Sequence, residues 1–126
     1  MLDMAEFAGE EYIALKNVCA RQGISFKYAE NVMKLLVKGG LVEGAHGKGG
    51  GYKLKKSPEN YSVGEILRIT ENELVPIACL DAGAKECPRA KKCKTLGMWR
   101  GFYKLTCDYF DKISLKDLMN EPQKVE

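Results

Sequence analysis

A single histidine in 126 residues, no carboxylate pair at a plausible pocket and no nucleophile with an evident base beside it leave little room for general acid–base or nucleophilic catalysis. The chain is therefore read as a non-enzyme. No apolar run approaches the length of a membrane-spanning helix, and the opening MLDMAEFAGEE carries acids where a secretory leader carries a basic start and an apolar centre. These absences predict a cytoplasmic protein with no membrane contact. No Gly-Lys-Ser/Thr occurs, which excludes a phosphate-cradling nucleotide loop. Internal repeats and low-complexity segments are lacking too. In a reducing compartment, an odd count of five cysteines argues against a disulfide scaffold and leaves metal binding, redox sensing or plain core thiols.

What is present is enough apolar material, 45% of the residues, for one core with a small extension. The net charge of +3 hides an uneven layout. Residues 1–13 hold four acids and no base, whereas residues 14–56 hold nine bases against Glu30 and Glu43. From residue 57 onward, eleven bases balance eleven acids. One basic block in one folded unit is either an electrostatic footprint for a polyanion or a solvated lysine-rich face.

Within that block, Ile13, Leu15, Val18 and Cys19 fall at helical spacing, and Gln22-Gly23 closes the segment. Ser25 offers an N-cap, after which Ala29, Val32, Met33 and Leu36 form one apolar stripe. Two helices joined by a tight turn predict a helix-turn-helix, the second helix offered to a DNA major groove. Its outward face carries Lys27, Tyr28, Glu30, Asn31, Lys34 and Lys38, long donors for phosphates with amide and carboxylate groups suited to base edges. Leu41-Val42-Glu43 and Tyr52-Lys53-Leu54-Lys55 read as paired strands around GAHGKGGG. Seven of the thirteen glycines fall in residues 39–51, so the hairpin is thin and predicts a wing. His46, Lys48, Gly49 and Gly50 near its tip are candidates for the minor groove or the phosphates, because bulky side chains are absent there.

Ser62-Val63-Gly64-Glu65 reads as a capping box opening a further helix, and Ser114-Leu115-Lys116-Asp117 as another. Between them, Met98, Phe102, Leu105 and Tyr109 form a stripe widened by Trp99, Tyr103, Thr106, Phe110 and Ile113. That surplus exceeds one small domain's needs and predicts a helix buried against a second copy. Cys79, Cys87 and Cys93 lie in CLDAGAKECPRAKKC, at gaps that fit neither zinc pairs nor ferredoxin spacings. Five nearby bases favour the thiolate form, which leaves a metal or cluster, thiol redox sensing and inert cysteine all open. Cys19 and Cys107 are expected to be core or helix-interface residues.

In order along the chain, ISFKYAENVMKLLVKGGLV, GKGGGYKL, SVGEILRITEN, the three-cysteine loop, MWRGF and ISLKDLM resemble the IscR/NsrR (Rrf2) family of bacterial winged-helix transcription regulators. The resemblance spans Ala14 to Met119 and implies a mainly α fold with a small β-wing: a winged helix-turn-helix plus a long dimerisation helix. It implies a homodimer on double-stranded DNA with a palindromic operator, acting as a repressor. It also implies an iron–sulfur cluster, 2Fe-2S in preference to 4Fe-4S, ligated by Cys79, Cys87 and Cys93. The domains implied are 1–72, a winged helix-turn-helix whose first helix is shortened; 73–97, a sensor loop; and 98–126, a dimerisation helix, short closing helix and tail. Three features depart from the family pattern. Lys94-Thr95-Leu96 stands where a histidine often follows the third cysteine, so the fourth ligand is unassigned; His46 stands for the wing's usual arginine, and Asn31 for a glutamine. A thiol–disulfide switch without a cluster and a zinc-stabilised interaction module are the alternatives.

Overall fold

A computed structural model describes residues 1–7, 11–71 and 88–121. The elements follow one another as α1 (Leu2–Phe7), α2 (Leu15–Gln22), α3 (Phe26–Lys38), β1 (Val42–Ala45), β2 (Gly51–Leu54), a 3-10 turn (Pro58–Asn60), α4 (Val63–Thr70), α5 (Leu96–Asp111) and α6 (Leu115–Met119). The fold is mainly helical with a two-stranded antiparallel sheet. Among the described residues, no helix is long and apolar enough to cross a membrane.

Local chemistry sets the boundaries. Gly23 takes the left-handed φ of 65° that closes α2. Ser25 then caps α3, its hydroxyl accepting from the Tyr28 N–H at 3.1 Å. Ala29, Met33 and Leu36 are buried as the stripe requires, with Val32 packed beside them. The two strands pair Val42 with Leu54 through Ala45 with Gly51. Each lies close to its expected place. The start of α2 differs: Ile13 is not its first turn but bridges Tyr52, donating its N–H at 2.8 Å and accepting at 2.9 Å. A residue whose backbone groups serve a strand cannot also serve a helix, so α2 begins at Leu15.

Ser62 caps α4 through the Glu65 N–H at 3.0 Å, and Ser114 and Asp117 form a reciprocal capping box on α6. Tyr61 is fully buried and joins the parts. Its hydroxyl accepts from the Lys55 and Lys56 N–H groups at 2.8 and 3.0 Å and donates to the Leu41 carbonyl.

α1 is pinned by charge. The buried Asp3 carboxylate receives Arg21 Nε at 2.9 Å, Arg21 Nη2 at 2.6 Å and Gln22 Nε2 at 2.9 Å. Those Arg21 hydrogen bonds hold the Asp3 carboxyl below its ordinary range, against the opposing effect of burial. A depressed carboxyl stabilises the fold fully above its unfolded value and loses that contribution as pH falls through the folded one. Asp3→Asn is therefore expected to cost about 2 kcal/mol at neutral pH, and less as the medium is made more acid than about pH 4. Urea unfolding at the two pH values measures this; an equal loss at both would mean that the charge plays no part.

Candidate nucleic-acid interface

The burial of Ala29, Met33 and Leu36 leaves the opposite side of α3 in solvent, and Lys27, Asn31, Lys34 and Lys38 fall on it. Tyr28 flanks that face and is 61% exposed. Glu30 is half-buried and meets Lys34 at 3.7 Å, one turn along the helix. Thus Glu30 is placed to orient Lys34 along the exposed face of the helix.

The wing lies beside the C-terminal half of α3. Its turn uses positive φ at Gly47 and Gly49, 90° and 80°, with nothing within 4 Å of a Cβ at either position. His46, Lys48 and Gly49 are exposed and Gly50 is half-buried. Gly50 has a different constraint: a Cβ there would meet the Ala45 carbonyl. The wing's root is fixed by its ladder and by the Ile13–Tyr52 bridge. On its far side Lys53 meets Glu43 at 3.1 Å and lies over the Tyr12 ring at 4.8 Å.

α3 and the wing together bound an open cleft of about 420 Å³. Lys34 and Lys38 stand on one wall and His46 and Tyr52 on the other. Tyr52 has no place among the sequence candidates, because alternation in GYKL marks it only as a strand residue. Pairing with Gly44 is what turns its ring toward the cleft: a Cβ on Gly44 would lie 3.2 Å from that ring.

Of the three candidate ligand cysteines, Cys79 and Cys87 lie outside the described residues. Cys93 is exposed just ahead of α5, its sulfur 3.4 Å from the Thr95 hydroxyl. That hydroxyl, with the backbone of Thr95 and Leu96, holds the thiol below its ordinary value. A thiol so biased fits a soft metal or cluster and equally fits thiol chemistry. Among the described residues no group of three or more metal-ligating side chains gathers. Cys19 packs against the core and Cys107 is half-buried on α5.

On α5, Met98, Phe102, Leu105 and Tyr109 are each more than half exposed. Their spacing of four, three and four residues aligns them as one apolar seam along the helix. The inner side of α5 is held to α4 by Arg68, whose fork meets Asp111 at 2.7 and 2.9 Å. Asp111 is thereby held below the ordinary carboxyl range, and Arg68 is raised by Asp111 first and by Cys107 second. Gly64 makes this approach possible, since a Cβ there would collide with the Asp111 carboxylate.

A family model described as Rrf2, iron-dependent transcriptional regulator, matches residues 1–121. The HTH-type transcriptional regulator IscR of Aliivibrio salmonicida is 35% identical over 127 residues, 99% of this chain and 74% of that protein. Among solved structures, IscR of T. potens superposes with a TM-score of 0.72 at 29% identity, covering 98% of this chain and 84% of that one. An oxidized form of Staphylococcus aureus CymR gives 0.70 at 26% identity, covering 98% and 89%.

Proposed function

The chain belongs to the Rrf2 family of transcriptional regulators, and from that premise we propose that it is a cytoplasmic repressor that binds a palindromic operator in double-stranded DNA as a homodimer. Residues 1–72 form the reading unit, 73–97 the sensor loop, and 98–126 the dimerisation helix with its closing helix and tail. The observation that carries this reading is the gathering of Lys27, Asn31, Lys34 and Lys38 on the solvent side of α3, next to a glycine wing bearing His46 and Lys48. Lysines supply affinity through phosphates, and Tyr28, Glu30 and Asn31 supply base contacts. Gly49 and Gly50 keep the wing thin enough to lie in or along the minor groove. The exposed seam of α5 is what a second copy covers.

Cys79, Cys87 and Cys93 are the residues that would hold an iron–sulfur cluster, 2Fe-2S in preference to 4Fe-4S. When bound, it supplies a redox- and ligand-sensitive tie between the sensor loop and the chain around it. Cys93 enters as a donor already biased toward thiolate by Thr95. A hundredfold change in operator affinity asks for a coupling of only about 2.7 kcal/mol between loop and reading unit. The same exposed, thiolate-biased Cys93 favours a second reading, in which two loop thiols pair on oxidation; the likeness to an oxidized CymR points the same way.

Anaerobic purification with iron and sulfide analysis, together with duplex binding across a salt series, tests both parts. Brown protein that loses its colour in Cys87→Ser supports the cluster; colourless protein with a reversible disulfide supports the switch. Affinity should fall steeply with salt. Stoichiometric zinc without salt-sensitive duplex binding would overturn the proposal in favour of an interaction module.

A further inference from the structure

We infer that the cleft between α3 and the wing is a seat for one backbone phosphodiester of the bound duplex, and that His46 makes its grip depend on pH. The inference rests on the DNA-binding reading and adds to it a defined subsite and a mode of regulation. Its geometry is that of a saddle. Lys34 and Lys38 project from α3 on one side, His46 and Tyr52 face them from the wing, and between them the lining is small, with Val37 and Ala45 beside Gly44 and Gly51, which carry no side chain. A strand of DNA passing between a helix in one groove and a wing in the next must cross this saddle with its phosphates inward.

The charges around the cleft favour an anion. No carboxylate lines it among the described residues. The acid on the same helix, Glu30, is paired with Lys34 at 3.7 Å. Glu43 of β1 lies across the sheet, engaged by Lys53 at 3.1 Å and by the Tyr12 hydroxyl at 3.3 Å. The groups facing His46 are thus Lys34 and Lys38 from α3, the Tyr52 phenol from β2, and Lys48 from its own turn.

Lysine and a phosphodiester keep their charges throughout the physiological range, whereas histidine is the side chain type suited to change its charge there. His46 is the only histidine of the chain. Protonated, it closes the saddle with a third positive charge; neutral, it leaves two lysines. Affinity for any duplex should therefore rise as pH falls, with uptake of up to one proton on binding.

The probe is a labelled duplex of mixed sequence, titrated at constant ionic strength with wild type, His46→Gln and His46→Arg. Because His46 is exposed on the wing, neither substitution disturbs the core. Wild type should bind about fivefold more tightly at about pH 5.5 than at about pH 8, whereas His46→Gln should lose most of that dependence. His46→Arg should bind tightly at both. The Met1 amino group and the thiols are the same in all three proteins, so their titration cancels in the comparison. Lys38→Gln provides an independent check: it should weaken binding at both pH values and flatten the wild-type slope. Equal pH slopes in wild type and His46→Gln would overturn the seat while leaving DNA binding intact. Loss of salt-sensitive duplex binding by wild type at every pH would instead overturn the DNA-binding reading, and the seat with it.

Discussion

Replacing Gly51 with alanine is expected to lower stability by about 3 kcal/mol, through two costs that act at one position. Gly51 opens β2 at a φ of 135°, a conformation that residues with a Cβ rarely adopt. Its missing side chain also faces the Ile13 carbonyl and the Ala14 nitrogen, so a methyl group would push apart the chain segment that Tyr52 binds. Gly47→Ala separates the two effects. That residue has a positive φ of 90° but open space around it, so strain is its only cost, about 1 kcal/mol. Urea unfolding of both variants reads the difference directly. Comparable losses would show that the Ile13–Tyr52 bridge adds nothing to the hold on the wing.

Tyr61→Phe should be nearly as damaging, at about 3 kcal/mol, although it removes one oxygen and no carbon. The ring is fully buried, and the hydroxyl gathers the N–H groups of Lys55 and Lys56 and the carbonyl of Leu41. Phenylalanine would fill the same space and leave these partners without the oxygen that joins them. Each such group left unsatisfied away from water costs on the order of 1–3 kcal/mol, reduced where water reaches the exposed Lys55 and Lys56 that follow the strand. The thermal midpoint and the urea midpoint should both fall. A loss below about 0.5 kcal/mol would mean that solvent already replaces the phenol.

The parts of the fold that were legible in the sequence are those whose cause is local. Ser25, Ser62 and Ser114 each cap the helix that follows, because a hydroxyl three residues ahead of a free N–H acts without distant help. The stripe of α3 was readable because burial repeats with the turn of the helix. The seam of α5 was readable for the same reason, and its exposure fits the surplus of apolar residues. What stayed hidden depends on partners remote in the chain. Ile13 has helical spacing, yet Tyr52 takes its backbone groups. Asp3 belongs to an acidic opening segment that gives no sign of the buried fork waiting at Arg21. Likewise, the candidate lysines and His46 could be named, but the saddle between them required Tyr52 to be turned by its pairing with Gly44.

The contact between α4 and its neighbours carries a mechanical corollary. Adjacent residues of that short helix engage different bodies: Arg68 grips Asp111 on α5, while Ile69 fills the space above Gly39, the residue that ends α3. α4 is thus geared at once to α5 and to α3. A roll of α5 about its own axis would therefore be felt at the C-terminal end of α3, relayed through the two neighbouring side chains of one short helix.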